Sequence, residues 1–249
     1  MKNIARISTR GRFDLLDGRP IDGHSPYTLY PTRSFKKIQG SKEITIMVHG
    51  LQNNSIGALK KFAIAKHRLK KLGYDHPVIG FTYDSNTRGA HLKKTKLRAL
   101  RAGRRIARYN GKLLAKFLID FSKSNPKTKF RLLGHSLGSE VISKTIQHLD
   151  KTKHYHLVSG IYFFGASVPS CTICLDRTGA IMQRTVEKKI VNYYNPNDNV
   201  LQEATDEKSI QKPLGLGISC KPISKYVQRR VWPINHRFAS YAATLEHFP

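Results

Sequence analysis

Long apolar runs are missing from this chain of 249 residues. No stretch of about eighteen consecutive apolar residues occurs, and this argues against a membrane-spanning helix. The first six residues, MKNIAR, also lack the apolar stretch that a signal peptide needs. The sequence therefore predicts an intracellular, cytoplasmic protein.

Cysteine is scarce, with only Cys171, Cys174 and Cys220 present. So low a content fits a reducing compartment. Cys171 and Cys174 form a single C-x-x-C, which is half of a zinc site, and Cys220 could add at most a third ligand. We therefore expect incidental or buried thiols rather than a metal site, and the sequence assigns Cys171 and Cys174 no role.

Acidic residues are few: 16 Asp and Glu face 44 Lys and Arg, a formal net charge of +28. An ordinary surface mixes both signs, so the excess predicts attraction to polyanions such as nucleic acid or an anionic membrane surface. Residues 85–119 contain no acid at all, and their apolar residues recur at helical spacing. A solvated helix face would explain exposure but not the missing acids. We favour a polyanion-binding face there, with these candidates: Arg98, Arg101, Arg104, Arg105 and Arg108.

One motif organises the chain. In Phe130–Val141, a short apolar strand leads into Gly134-His135-Ser136-Leu137-Gly138, and an amphipathic helix follows. A G-x-S-x-G turn between a strand and a helix is typical of a nucleophile elbow, in which the serine oxygen is exposed above the sheet. The competing interpretation is an ordinary strand-turn-helix corner of a parallel sheet.

Three further motifs accompany this turn in a characteristic order: Val48-His49-Gly50-Leu51 before it, then Asn195–Val200 and Asn235-His236. With them, residues 44–249 resemble the lipase and esterase branch of the α/β hydrolases. The first forty residues resemble nothing that we can place. The resemblance implies a mostly parallel central sheet with helices on both faces, an arrangement that the alternation of predicted strands and helices also indicates.

This fold class predicts a single domain over residues 1–249. Residues 1–40 would be an N-terminal edge segment, with short strands at Arg12–Leu16 and Tyr27–Tyr30, and residues 84–110 a basic insertion or helix. Residues 201–225 are expected to form a loop.

The resemblance also implies the site. Ser136 would be the nucleophile, His236 its general base and Asp198 the acid that orients the imidazole. The backbone amides of Leu137 and Leu51 would form the oxyanion hole, with the Gln52 amide as the alternative to Leu51. Asp176 and Asp206 remain rivals for the acid, and His247 for the base. His49 and His135 are more easily explained as structural parts of their motifs.

The predicted function is cleavage of a carboxylic ester through an acyl-enzyme, with no metal or organic cofactor required. Peptidases, thioesterases and acyltransferases share this chemistry, and a fold does not decide the substrate. The alternative is a nonspecific polyanion-binding or structural protein on a hydrolase scaffold, held to nucleic acid or a nucleoprotein particle by its charge. The sequence says nothing of the oligomeric state.

Overall fold

A central β-sheet dominates the computed structural model, which describes residues 4–23, 25–90, 92, 94–175, 177–207, 209–218 and 220–249. The sheet has eight strands in the order β2-β1-β4-β3-β5-β6-β7-β8. The strands are β1 Arg6–Ser8, β2 Thr28–Tyr30, β3 Glu43–Val48, β4 Val78–Thr82, β5 Lys129–His135, β6 Val158–Phe164, β7 Val186–Tyr194 and β8 Tyr226–Arg230.

All neighbouring strands pair in parallel except β1 and β2, which form an antiparallel edge. The central strands are apolar and buried along nearly their whole length, as expected for a sheet covered on both faces. Because the carboxyl ends of parallel strands meet at one edge, the loops after β3, β5, β7 and β8 meet there.

Seven α-helices lie within the described residues: α1 Thr32–Ile38, α2 Ser55–Lys71, α3 Lys96–Ser124, α4 Gly138–Lys151, α5 Arg177–Thr185, α6 Asn199–Asp206 and α7 Phe238–Ala243. No helix in this part of the chain combines the length and the apolarity that crossing a bilayer requires.

The core is divided by the sheet into two clusters. On one face, α3 and α4 pack against each other and bury residues such as Ile106, Leu114 and Ile146. On the other face, α2 and α7 pack together and bury Phe62 and Tyr241. The predicted α/β class, with a mostly parallel sheet and helices on both faces, is confirmed.

Some sequence expectations about elements were wrong. Arg12–Leu16 is not a strand but a turn region, and the edge strand lies earlier, at Arg6–Ser8. Phe13 of the predicted strand packs against α3 instead, where it contacts Tyr109, whereas Leu16 is exposed. The expected loop over 201–225 contains most of α6, which starts at Asn199 because Asp198 caps it.

The cysteines differ from expectation most clearly. Cys174 and Cys220, which are 46 residues apart, form a disulfide, and only Cys171 is a free thiol. Their pairing removes the basis for a C-x-x-C metal site. Disulfides persist in oxidising compartments, so the cysteine content no longer argues for an intracellular location.

Candidate active site

The turn after β5 holds Ser136 in a strained backbone conformation. Its φ is +49°, in the left-handed region that an L-residue other than glycine rarely adopts. The strain is held by the surrounding backbone, because the Ser136 amide donates to the carbonyl of Phe164 (3.0 Å) and its own carbonyl accepts from the Ser139 amide (3.0 Å). The turn therefore presents the serine hydroxyl at the carboxyl edge of the sheet.

The two outer glycines of this turn lie where the backbone has no room. A Cβ on Gly138 would collide with the carbonyl oxygens that end β3, and one on Gly134 would come within 2.7 Å of Ile142 Cδ1. Such close approach of strand, turn and helix is the geometry of a nucleophile elbow within a parallel sheet. The chain has the α/β-hydrolase fold.

His236 lies between Ser136 and Asp198. Its Nε2 is 2.9 Å from Ser136 Oγ, and its Nδ1 is 2.7 Å from Asp198 Oδ2. Three side chains from the loops after β5, β7 and β8 are thus connected by two hydrogen bonds, although 100 and 38 residues separate the bonded partners. The sequence predicted this set, and the structure brings all three together in one chain of hydrogen bonds.

Asp198 is buried, with 3% of its surface exposed. Burial alone would raise the pKa of this carboxyl, but the hydrogen bonds from His236, Tyr241 and the Leu201 amide outweigh it, and the pKa is lowered. The Tyr241 hydroxyl donates to Asp198 Oδ2 at 2.6 Å. Asp198 therefore stays ionised beside the imidazole.

Tyr241 was missed as a site residue. It is buried in the core beside α2, as the helical spacing of the apolar residues in 236–247 predicts for an inward-facing side chain. The contact of its hydroxyl with Asp198 was not expected. Burial and the neighbouring Asp198 carboxylate raise the pKa of Tyr241, so its hydroxyl stays protonated and donates a hydrogen bond. An aromatic residue at helical spacing gives no signal of such a contact.

The loop after β3 passes directly over the serine. A Cβ on Gly50 would lie 2.8 Å from Ser136 Cβ, so only glycine allows this approach. Among the described residues, neither the Leu51 nor the Leu137 amide has a hydrogen-bond acceptor, whereas the Gln52 amide donates to the Ser85 carbonyl at 2.8 Å. Leu51 and Leu137 thus keep free donors beside Ser136, and Gln52 does not.

The same loop is held from behind by the N-terminal edge of the sheet. Arg10 donates to the Asn53 carbonyl (2.8 Å) and to the Thr82 hydroxyl (2.6 Å), and it lies 3.4 Å from His49 Nε2. His49 is fully buried and stacks on Tyr83 with ring centroids 4.6 Å apart. Burial and the Arg10 charge keep the pKa of His49 well below its usual range, so it is a neutral structural residue.

His135 also has a structural setting. It lies beside His236 with ring centroids 5.1 Å apart, and its Nε2 is 2.7 Å from the His236 carbonyl oxygen. Burial, followed by the charge of His236, keeps the pKa of His135 well below its usual range. It positions the loop that carries His236 rather than acting as a second base.

A cavity of about 560 Å³ opens at Ser136. Its apolar wall comes from both sides of the site: Leu51, Leu100, Leu137, Val200, Leu201, Ala204 and Ile210. Four cationic side chains also line it: Lys61, Lys96, Arg104 and Arg237. Space for an apolar group thus lies beside the serine, bordered by positive charge.

The rival residues lie elsewhere or outside the described part. Asp176 is not among the described residues, while Asp206 and His247 are exposed and have no hydrogen bond to the Ser136–His236 pair. No cluster of three or more potential metal ligands occurs among the described residues.

The predicted basic face needs a correction. Arg108 and Arg104 contact the buried carboxylate of Glu140 on α4, at 2.8 and 3.6 Å. The acid-free part of α3 thus receives a carboxylate from the neighbouring helix, and these two arginines are partly neutralised. Arg98, Arg101 and Arg105 are exposed on α3 and remain candidates for polyanion contact.

Comparisons with known proteins were made for both sequence and structure. A family described as "Protein of unknown function (DUF726)" matches residues 99–217, which include Ser136 and Asp198 but not His236. None of the curated proteins matches the sequence.

Solved structures similar to this chain include hydrolases. An α/β serine hydrolase without lid from Xanthomonas campestris is 12% identical, with a TM-score of 0.40, over 83% of this chain and 78% of that chain. An α/β serine hydrolase homologue from Coxiella burnetii is 11% identical, with a TM-score of 0.40, over 82% of each chain. A lipase-esterase related protein from Clostridium acetobutylicum is 10% identical, with a TM-score of 0.40, over 82% of this chain and 90% of that chain.

Proposed function

We propose that this protein is a serine hydrolase that cleaves a carboxylic ester through an acyl-enzyme. The observation that carries the proposal is the position of His236, within hydrogen-bond distance of Ser136 Oγ on one side and Asp198 on the other. A serine hydroxyl is a weak nucleophile until a base takes its proton, and this arrangement supplies the base and its orienting carboxylate.

The reaction follows from these contacts. Ser136 Oγ attacks the ester carbonyl carbon while its proton passes to His236 Nε2, and the carbonyl oxygen becomes an oxyanion. The oxyanion then collapses, the bond to the alcohol oxygen breaks, and His236 gives that oxygen the proton. Water attacks the acyl-enzyme next, again through His236, and releases the acid and free Ser136.

The developing oxyanion would be bound by the amides of Leu51 and Leu137. Their lack of other acceptors supports this role, since a preorganised donor must be free when the charge develops. Each such donor contributes about 3–4 kcal/mol to transition-state stabilisation. The apolar wall of the cavity suits the acyl chain or the apolar alcohol of a lipid-like ester.

Labelling with a fluorophosphonate tests the proposal directly. An activated Ser136 should react within minutes, and mass spectrometry should place the label on its peptide. Ser136→Ala and His236→Ala should both abolish labelling and turnover of p-nitrophenyl butyrate, because the members act as a unit. Ser167→Ala is the control for loss of a nearby hydroxyl, since Ser167 lines the same cavity and its hydroxyl has no hydrogen-bond partner among the described residues. Label on another serine, or none on folded protein, would contradict the proposal.

Polyanion binding is a second property that we propose beside catalysis. The net charge of +28 and the exposed Arg98, Arg101 and Arg105 support nonspecific contact with nucleic acid or an anionic membrane surface. The free energy of such contact comes from counterion release and needs no reading of bases. It is compatible with an esterase that works on an anionic surface.

A further inference from the structure

Four cations line the cavity beside Ser136, and they fall into two pairs with different surroundings. Lys96 donates to Glu203 (2.6 Å) and Glu207 (3.0 Å). Arg104 lies 3.6 Å from the Glu140 carboxylate and donates to the Ser209 carbonyl at 2.9 Å. Both members of this first pair thus have a carboxylate of the protein within ion-pair distance, although Arg104 shares Glu140 with Arg108.

The second pair, Lys61 and Arg237, has no carboxylate within ion-pair distance among the described residues. Lys61 donates to the side-chain oxygen of Asn53, a neutral acceptor. Arg237 is close enough to act on Lys61: burial lowers the pKa of Lys61, and the Arg237 charge lowers it further. Two like charges thus lie together at the cavity without a counterion from the chain.

Their position ties this pair to the catalytic residues. Lys61 is on α2 and contacts Asn53. The Asn53 side chain in turn donates to the carbonyls of Gly50 (3.0 Å) and Leu51 (2.7 Å) in the loop after β3, which we call the oxyanion loop because it holds the proposed donor Leu51. Arg237 follows His236 directly. Because α2 and α7 pack together, the elements that carry these two cations are neighbours, and apolar residues of α3 and α6 line the same cavity.

Lys61 is partly buried, and keeping its charge partly out of water beside the exposed Arg237 costs free energy unless an anion joins them. Each would attract an anion strongly, since charge interactions at a half-buried site are several times stronger than in bulk water. A guanidinium and an ammonium together suit an oxyanion such as a carboxylate or a phosphate.

We propose that Lys61 and Arg237 form an anion subsite, and that the natural ester carries a carboxylate or phosphate group close to its scissile bond. This specificity rests on the proposed ester hydrolysis. The apolar wall would take the other half of the substrate, so the ester would be apolar at one end and anionic at the other.

Matched esters test the subsite. One pair varies the acyl side: p-nitrophenyl valerate against the p-nitrophenyl half-ester of glutaric acid. The other varies the alcohol side: 2-methoxyethyl butyrate against the butyryl ester of 2-hydroxyethyl phosphate. The readout is the ratio of kcat/KM for the anionic ester to that for its neutral partner. At least one pair should show a ratio above ten. The pair that does so tells whether the anion is a carboxylate on the acid or a phosphate on the alcohol.

Lys61→Met and Arg237→Met should each lower that ratio about tenfold, mainly through a higher KM for the anionic ester. Lys96→Met is the matched control, because it removes one positive charge from the same cavity. Glu203 and Glu207 already balance that charge, so the ratio should stay within about twofold of the wild-type value. Thermal melting of each variant checks that the fold is intact. Because Arg237 is exposed, Arg237→Met should fold even if Lys61→Met does not.

Equal ratios in the wild type and both Met variants would overturn the subsite, as would an equal loss in Lys96→Met. Failure of the proposed function looks different, because the wild type would then cleave neither member of a pair. Binding of butyl phosphate to Ser136→Ala, measured by calorimetry, decides the subsite in that case. About tenfold weaker binding on adding Lys61→Met would support it, and unchanged or absent binding would refute it.

Discussion

Tyr241→Phe removes a single oxygen atom from the candidate active site. The Tyr241 hydroxyl donates at 2.6 Å to Asp198 Oδ2, the oxygen that also lies 2.7 Å from His236 Nδ1. A hydrogen bond to a charged group contributes about 1.5–3 kcal/mol. Phe fills the same buried space, so we expect little change in packing and a loss of carboxylate orientation.

The expected loss in kcat is about tenfold, which corresponds to about 1.4 kcal/mol of that bond being felt in the transition state. KM for a neutral ester should change little, because Tyr241 acts through Asp198 and does not line the cavity. The measurement is steady-state kinetics on p-nitrophenyl butyrate, compared between the wild type and the variant.

The pH dependence gives a second readout. The hydrogen bonds of Asp198 lower its pKa in the folded protein, so the stability that they contribute is present above the ordinary carboxyl pKa and is lost as pH falls through the folded value. Without the Tyr241 hydroxyl the folded pKa rises. The acid limb of activity should therefore lie at a higher pH in Tyr241→Phe than in the wild type, while the stability lost below the ordinary carboxyl pKa should be smaller, because less stability was contributed above it.

Tyr162→Phe is the control, since its buried hydroxyl accepts a hydrogen bond from Arg131 (2.8 Å) and has none to Ser136, Asp198 or His236. It should lower the free energy of unfolding without changing kcat. A Tyr241→Phe enzyme with wild-type kcat and an unshifted acid limb would refute the positioning role. A kcat loss of the same size in Tyr162→Phe would point to a general effect on the fold.

Three further outcomes are expected. Gly138→Val should prevent correct folding, seen as loss of the cooperative melting transition, because its side chain would collide with the end of β3; a folded and active variant would contradict the elbow geometry. Cys174→Ser, or reduction with dithiothreitol, should lower the free energy of unfolding in urea by about 4 kcal/mol in the chain-entropy account, because the bridge closes a loop of 46 residues; equal midpoints would show that the bridge does not form. Reversing the exposed arginines of α3 to Glu should lower the salt slope of duplex DNA binding by up to about 3, more than the same change at exposed lysines scattered elsewhere. The two matched sets are Arg98, Arg101 and Arg105 against Lys42, Lys127 and Lys188. Equal slopes in both variants would remove the dedicated face.

The site was predictable because its residues follow buried strands in a parallel sheet. Strong apolar runs marked β3, β5, β6 and β7, and the residues after their carboxyl ends must lie at one edge. That argument alone brought Leu51, Ser136 and Asp198 to one place. His236 was preferred to His247 because it lies at a predicted loop-to-helix junction, from which its side chain can reach back, whereas His247 lies near the chain end on a helix. The resemblance pointed to the same residue.

The parts that sequence reasoning missed depend on contacts between distant residues. The absence of acids from residues 85–119 suggested free arginines, but Glu140 on another helix reaches Arg104 and Arg108. The Cys174–Cys220 pairing likewise could not be read from spacing, since local sequence carries no information on which distant thiols meet. Short elements such as β1 and α6 are defined by pairing and capping rather than by periodicity.

Arg10 has a consequence for the segment that the sequence analysis could not place. It joins the edge strand region to the loop over Ser136 through the Asn53 carbonyl and Thr82. The contact between Arg10 and the oxyanion loop is intramolecular. The covalent link therefore holds the N-terminal segment near this loop at a high effective concentration. Cut from the chain and supplied as a free peptide, it would have to bind from solution, and catalysis would become dependent on peptide concentration. The proposed activity would thus depend on the N-terminal segment through the position of this loop.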